Sequence, residues 1–285
     1  MKQKYVKQMK KSGVYLILIL LSGFLTCKNE KALVDAASIN EIVLVETVYA
    51  DISEQIEVNI YNAEDILFNG HKTGQNNLKE TCANLSIAPF DTITWPKTIT
   101  VDFGNSNCLG DDGRSRRGKV LISTTGRYHD STTVLTVTFD NYYLNNNKVS
   151  GTATITNQGV NKASYPQYSV SIQNGIIETT NGTITWQSDG TKQWVNGIAT
   201  PWPANNDDVF IFTGSSYGAF TNGVPFKADI IQPLVTNTAC PWISGGTVEI
   251  SKQQKIIGTL DFGGNTCDSS ATVIFNGDSY GVGLK

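Results

Sequence analysis

From Thr98 onwards, apolar residues alternate with threonine, serine and aspartate. A period of two is the spacing of a strand with one buried face. Ile99, Val101 and Phe103 alternate with Thr98, Thr100 and Asp102, and Leu135, Val137 and Phe139 alternate with Thr136 and Thr138. Val149, Ala153 and Ile155 continue the pattern, as do Tyr168, Val170 and Ile172. Asn-Gly stands at 174–175, 181–182, 196–197, 222–223 and 276–277, and Asp-Gly at 112–113 and 189–190. Such dipeptides accept the positive φ angles of tight hairpin turns. The expected fold is mainly β: an antiparallel meander, as a sandwich or a long curled sheet, with one N-terminal helix.

That helix is expected over 38–68. Ser38 and Glu41 have the spacing of a capping box, and Val45, Val48, Tyr49, Ile52, Ile56 and Ile60 then recur at helical steps. Glu46, Asp51, Glu54 and Glu57 fall elsewhere around the wheel, so one apolar stripe is expected to dock on the β-domain.

The N-terminus is an address. Lys2, Lys4, Lys7, Lys10 and Lys11 precede an apolar run from Val14 to Leu25. As a helix that run spans about 18 Å, short of a ~30 Å hydrocarbon core, which matches an export signal. Thr26-Cys27 closes the run and resembles the lipobox of bacterial lipoproteins. That resemblance implies removal of residues 1–26, acylation of Cys27 and a lipidated tether over 27–37. Two or more acyl chains anchor stably. The β-domain then covers 69–285.

There are five cysteines. With Cys27 acylated, four remain, as suits an oxidising compartment. Cys82 and Cys108 enclose a span close to that between Cys240 and Cys267, so the bridges 82–108 and 240–267 are expected over two other connectivities. A zinc site lacks the necessary spacing, since no C-x-x-C occurs and His71 and His129 are the sole histidines. No cofactor is expected.

Asp102-Phe103-Gly104 and Asp261-Phe262-Gly263 each precede a cysteine by the same interval, Cys108 and Cys267. Alternation turns both phenylalanines inward and both aspartates outward. The two units are read as pseudo-equivalent strand ends, through duplication or through convergent stapling.

Further stretches bear a family resemblance. Trp95 to Gly104 (W-P-K-T-I-T-V-D-F-G), Cys108 to Arg114 (C-L-G-D-D-G-R) and Thr138 to Tyr143 (T-F-D-N-Y-Y) resemble exported lipoproteins of the Bacteroidetes, as do Pro233-Leu234-Val235 and the region from Leu260 to Asp268. The resemblance implies export, an envelope location, an outer-membrane anchor and a β-rich domain. It brings no activity and no catalytic residues.

Charged residues are 16% of the chain and the net charge is −3. With so few and such scattered cations, nucleic acid is excluded as a partner. Arg114, Arg116 and Arg117 read as a solvated strand start after a hairpin turn. Gly214-Ser215-Ser216-Tyr217-Gly218 matches the hydrolase elbow G-x-S-x-G, but no histidine follows residue 129 and the segment reads as strand. Carboxylates such as Asp207 and Asp208 are plentiful, yet no spacing singles out a glycosidase pair. Trp194, Trp202 and Tyr142, set among amides and hydroxyls, are the candidates for stacking on a sugar. Asp189-Gly190, taken as a turn, puts Trp186 and Trp194 on opposite sheet faces. The leading expectation is a non-enzymatic, envelope-anchored lipoprotein whose β-domain binds or scaffolds, its partners being the membrane and a glycan or another envelope protein. The alternatives are a glycan-binding module of a surface uptake system, which needs those rings exposed on one face, and a polysaccharide hydrolase, which needs two carboxylates in one cleft.

Overall fold

The computed structural model describes residues 35–70, 83–200 and 207–284. Helix α1 runs Ala36–Glu64 and passes into one π-helical turn, Asp65–Asn69. The strands are β1 Asn84–Ala88, β2 Lys97–Asp102, β3 Cys108–Leu109, β4 Ser115–Thr124, β5 Val134–Leu144, β6 Asn147–Val160 and β7 Pro166–Thr179. They continue as β8 Gly182–Asn196, β9 Val209–Ala219, β10 Pro225–Asn237, β11 Cys240–Lys252, β12 Lys255–Gly264, β13 Ser270–Phe275 and β14 Asp278–Gly283. All pair antiparallel in chain order within one open 14-stranded sheet, with β3 paired to β4 beside the main path. The mainly β meander with a single N-terminal helix is therefore what the chain forms.

The helix does not lie on the sheet with one face. No residue of α1 between Glu41 and Glu64 is exposed, and the run from Gln55 to Ala63 is buried without a break. Asp51 meets β4 and β5, Glu57 meets β8, and Tyr49 packs on Phe212 of β9. The sheet thus curls around the helix, which corrects the expectation of a single docking stripe. Carboxylates read as a solvated face are buried as well: Glu46, Asp51 and Glu57 are each less than a tenth exposed. Burial is tolerated where a cation comes inside too. Arg116 donates to Asp51 from Nε at 3.0 Å and again from Nη2, and Lys192 reaches Glu57 at 2.7 Å.

Two of the three clustered arginines are corrected for the same reason. Arg114 and Arg116 are about 2% and 1% exposed: Arg116, on an inward position of β4, supplies the charge that Asp51 requires, and Arg114, just ahead of the strand, lies 3.8 Å from the same carboxylate. Asp112, in the turn before β4, accepts from Arg116 at 2.6 and 3.1 Å. Burial pushes the Asp112 carboxyl up, but the Arg116 hydrogen bond and charge outweigh it and hold the group below its ordinary value.

The N-terminal cap also differs from the expected box. Asp35 is the cap: its Oδ1 accepts from the Ser38 amide at 3.1 Å and its Oδ2 from the Ser38 hydroxyl at 3.0 Å. Glu41 instead accepts from the amide and hydroxyl of Thr221, between β9 and β10. The helix therefore starts inside the stretch assigned to the tether. β1 also lies ahead of the alternating stretch that begins at Thr98.

A sheet this wide curls where its ladders are interrupted. Register shifts fall between Arg117 and Lys119, Val137 and Tyr143, Ser150 and Thr152, and Ile172 and Gly175. They resume between Asp229 and Leu234, and between Gly245 and Thr247. Gly190 faces Gly214 across the one ladder that passes this band unshifted. Two expected turns lie in the band. Asn174-Gly175 is a bulge inside β7, with Asn174 at φ 53°, and Asp189-Gly190 is mid-strand in β8. Trp186 and Trp194 consequently share a parity and are both buried. Tight hairpins do form at Asn276-Gly277, and also at Asn145-Asn146 and Gln253-Gln254, all with positive φ.

Cys240 and Cys267 form a disulfide. Cys108 is disulfide-bonded too, while Cys27 and Cys82 lie outside the described residues. Phe103 and Phe262 are buried at 3% and 4% exposure. In each repeat unit the aspartate folds back on the glycine: Asp102 Oδ1 accepts from Gly104 N at 2.9 Å, and Asp261 Oδ1 from Gly263 N at 2.8 Å.

Candidate functional site

Near the C-terminal end of α1 a cleft of about 500 Å³ opens. That volume lies within the usual range for small-molecule sites. The last turn of α1 supplies Tyr61 and Glu64, the π-turn supplies Asp65, and the β4–β5 connection supplies Arg127 and His129. Tyr168 of β7, Trp194 of β8 and Asp208, just ahead of β9, complete the wall.

Its floor is an aromatic cluster. Tyr128 stacks on Tyr168 with centroids 5.0 Å apart and meets Tyr61 edge-on at 5.6 Å. His129 stacks on Trp194 at 5.4 Å, and Trp194 packs on Phe210. The Tyr168 hydroxyl lies 3.3 Å from His129 Nδ1. His129 keeps part of its surface open to solvent, yet protein atoms crowd the ring. Desolvation, then the nearby charges of Lys192 and Arg127, hold its pKa below the ordinary value, so the imidazole is neutral at pH 7. The indole N–H of Trp194 is buried and meets no acceptor among the described residues.

Carboxylates rim this floor. Glu64 accepts from the Tyr128 amide at 2.6 Å and lies 3.7 Å from Arg127 Nε. Burial nonetheless pushes its carboxyl above the ordinary range. Asp65 accepts from the Asn69 side-chain amide at 2.8 Å, and Asp208 is buried.

Of the three rings proposed for stacking, Tyr142 and Trp194 are buried. Tyr142 is 1% exposed and donates to Asp51 Oδ2 at 2.7 Å, which makes it part of the buried ion network. Trp194 is 7% exposed and forms cleft floor, one face covered by His129. Trp202 lies outside the described residues. Alternation carries Tyr142 and Trp194 inward, and the interior of a curled sheet holds the helix. Ser216 sits in β9 and is buried, as a strand residue would be.

Sequence reasoning passed over Glu64, Arg127, Tyr61 and Tyr168. The usable sign was Tyr128-His129 in a connection between strands, where two aromatic rings side by side have no strand face to fill. Among the described residues no group of three histidine, cysteine or carboxylate side chains is arranged to hold a metal ion. No family model matches the chain, and neither a curated protein nor a solved structure is significantly similar to it.

Proposed function

We propose that this chain is an exported, envelope-anchored lipoprotein, not an enzyme, whose β-domain binds a small molecule in the cleft at the C-terminal end of α1. The cleft itself carries the reading. A chain that buries its helix on every side leaves about 500 Å³ unfilled at one end, walled by rings and polar groups together, as ligand sites are. The basic and apolar N-terminal run ending at Cys27 supports the address.

Two measurements test it. Mass spectrometry of the protein from its native host should find a diacylated or triacylated Cys27 as the first residue; an unmodified Cys27 removes the anchor. A thermal-shift screen of small cationic, neutral and anionic compounds against the detergent-solubilised full chain should find stabilising compounds. Ile198 lines the cleft and is 44% exposed, so Ile198→Trp fills the space without touching the core. Compounds that stabilise the variant as well as the wild type bind elsewhere, and a screen without any hit removes the reading.

One observation favours a hydrolase instead. Glu64, Asp65 and Asp208 line the same cleft, and the Glu64 carboxyl is raised by burial in the direction a general acid requires. Release of reducing ends from a polysaccharide, abolished by Glu64→Gln, is the result that replaces binding with catalysis.

A further inference from the structure

We propose that the cleft selects a ligand bearing a positive charge, an organic ammonium or guanidinium group, over neutral and anionic molecules of the same size. The proposal rests on the cleft being a ligand site and adds the chemistry of the ligand.

Charge is the first argument. Among the described residues, three carboxylates line the cleft (Glu64, Asp65 and Asp208) against one cation, Arg127. Arg127 lies with Nε 3.7 Å from Glu64 and its guanidinium 4.4 Å from the centre of the Phe68 ring, one cation against three carboxylates. Lys192 stands behind the floor, but its ammonium is 2.7 Å from Glu57 and 3.8 Å from the Phe210 centroid. Asp130, beside His129, adds a further negative charge that acts on both Glu64 and His129. An anion entering here meets excess negative charge between low-dielectric walls, whereas a cation is drawn in.

The walls supply the second, independent argument. Tyr61, His129, Tyr168 and Trp194 line the cleft, all but His129 nearly buried, and a cation that reaches a ring face gains an attraction that a neutral molecule does not. The neutral imidazole of His129 adds no repulsion. The raised Glu64 carboxyl agrees, since a charge that burial disfavours is one that a bound cation would relieve.

Three probes of one shape isolate the charge: cyclohexylammonium, cyclohexanol and cyclohexanecarboxylate. They are titrated by calorimetry into the detergent-solubilised full chain at low ionic strength and at neutral pH. The ammonium is expected to bind at least tenfold more tightly than the alcohol, with no detectable binding of the carboxylate, and the preference is expected to shrink as salt rises. Glu64→Gln should bring ammonium and alcohol to within about threefold of each other. If that variant unfolds, the wild-type ranking and its salt dependence decide. Equal binding of the alcohol, or preference for the carboxylate, overturns charge selection while the cleft stays a ligand site. No heat from any of the three overturns the proposal, and a silent compound screen besides overturns the ligand-site reading with it.

Discussion

Asp51, midway along α1, and Arg116, on β4, form an ion pair across 65 positions of sequence, with both side chains at or below 1% exposure. Tyr142 donates to the second oxygen of Asp51, and Asp112 takes the remaining Arg116 donors. This network fixes how far the helix is threaded into the sheet, because sliding α1 by one turn would part Asp51 from Arg116 and Tyr142. Asp51→Ala leaves Arg116 to Asp112 and should lower unfolding free energy by roughly 1–3 kcal/mol. The double variant Asp51→Leu/Arg116→Met should lose less than Asp51→Ala alone. Denaturant titrations of the three proteins check the ordering, and equal stability of Asp51→Ala and wild type contradicts it.

Glu46 has no such cation among the described residues. Desolvation raises its carboxyl from the ordinary 4.5 to about 7. An acid raised in the folded state keeps its proton while the unfolded chain releases it, so folding is favoured most below pH 4.5. The advantage falls as pH climbs to about 7 and is gone beyond. Glu46→Gln keeps the shape without the charge. It should be more stable than wild type by up to roughly 3 kcal/mol at pH 8, with the gap closing by pH 4.5. Urea midpoints for both proteins over this pH range are the measurement, and a gap independent of pH rules out Glu46 as its source.

Gly175 lies where β7 is bulged, and a methyl group there would sit 2.5 Å from Cε3 of Trp186. Trp186 is 2% exposed and has no room to retreat. Gly175→Ala should therefore cost about 1–3 kcal/mol through overpacking. A smaller partner should rescue it only in part, because the methyl group would also sit 2.7 Å from the carbonyl oxygen of Trp186: in Trp186→Leu the further cost of Gly175→Ala should fall without vanishing. Thermal unfolding of the four members of that cycle tests the coupling, and strict additivity refutes the contact as cause.

These residues also show what the sequence discloses and what it hides. The alternation of Ile99, Val101 and Phe103 is local, and each of those side chains is buried as the period requires. Positive φ at Asn276 and Gly277 is local as well, and the hairpin forms there. Asn174-Gly175 has the same two letters but sits on the line along which neighbouring strands bend, so tertiary curvature makes it a bulge. Asp51 looked solvated because periodicity counts hydrophobes and is blind to a cation arriving from a distant strand. The cleft escaped for a related reason. Tyr61, His129, Tyr168 and Trp194 come from four separate stretches, and nothing local in any of them says that the others are near. The disulfide between Cys240 and Cys267 was legible because nearly equal spacing and an even count of remaining cysteines are properties of the sequence alone.

The two Asp-Phe-Gly units offer a paired test. In both, the aspartate Oδ1 accepts from the amide of the glycine two residues on, and that glycine holds a left-handed φ of 76° at Gly104 and 83° at Gly263. The turn needs both parts, since an L-residue there costs about 1–2 kcal/mol and the hydrogen bond contributes about 0.5–1.5 kcal/mol. Gly104→Ala should thus cost more than Asp102→Ala. Asp102 also pairs with Lys119 at 2.9 Å, but both side chains are more than a third exposed or close to it, and such surface pairs add little. The matching substitutions at Asp261 and Gly263 should show the same ordering, because the local geometry is the same although different strands flank it. Asp102→Ala and Asp261→Ala touch no common residue, so their effects should add to within about 0.5 kcal/mol. Guanidinium titrations of the single variants and of the double variant measure this, and a strong departure from additivity contradicts two independent turns.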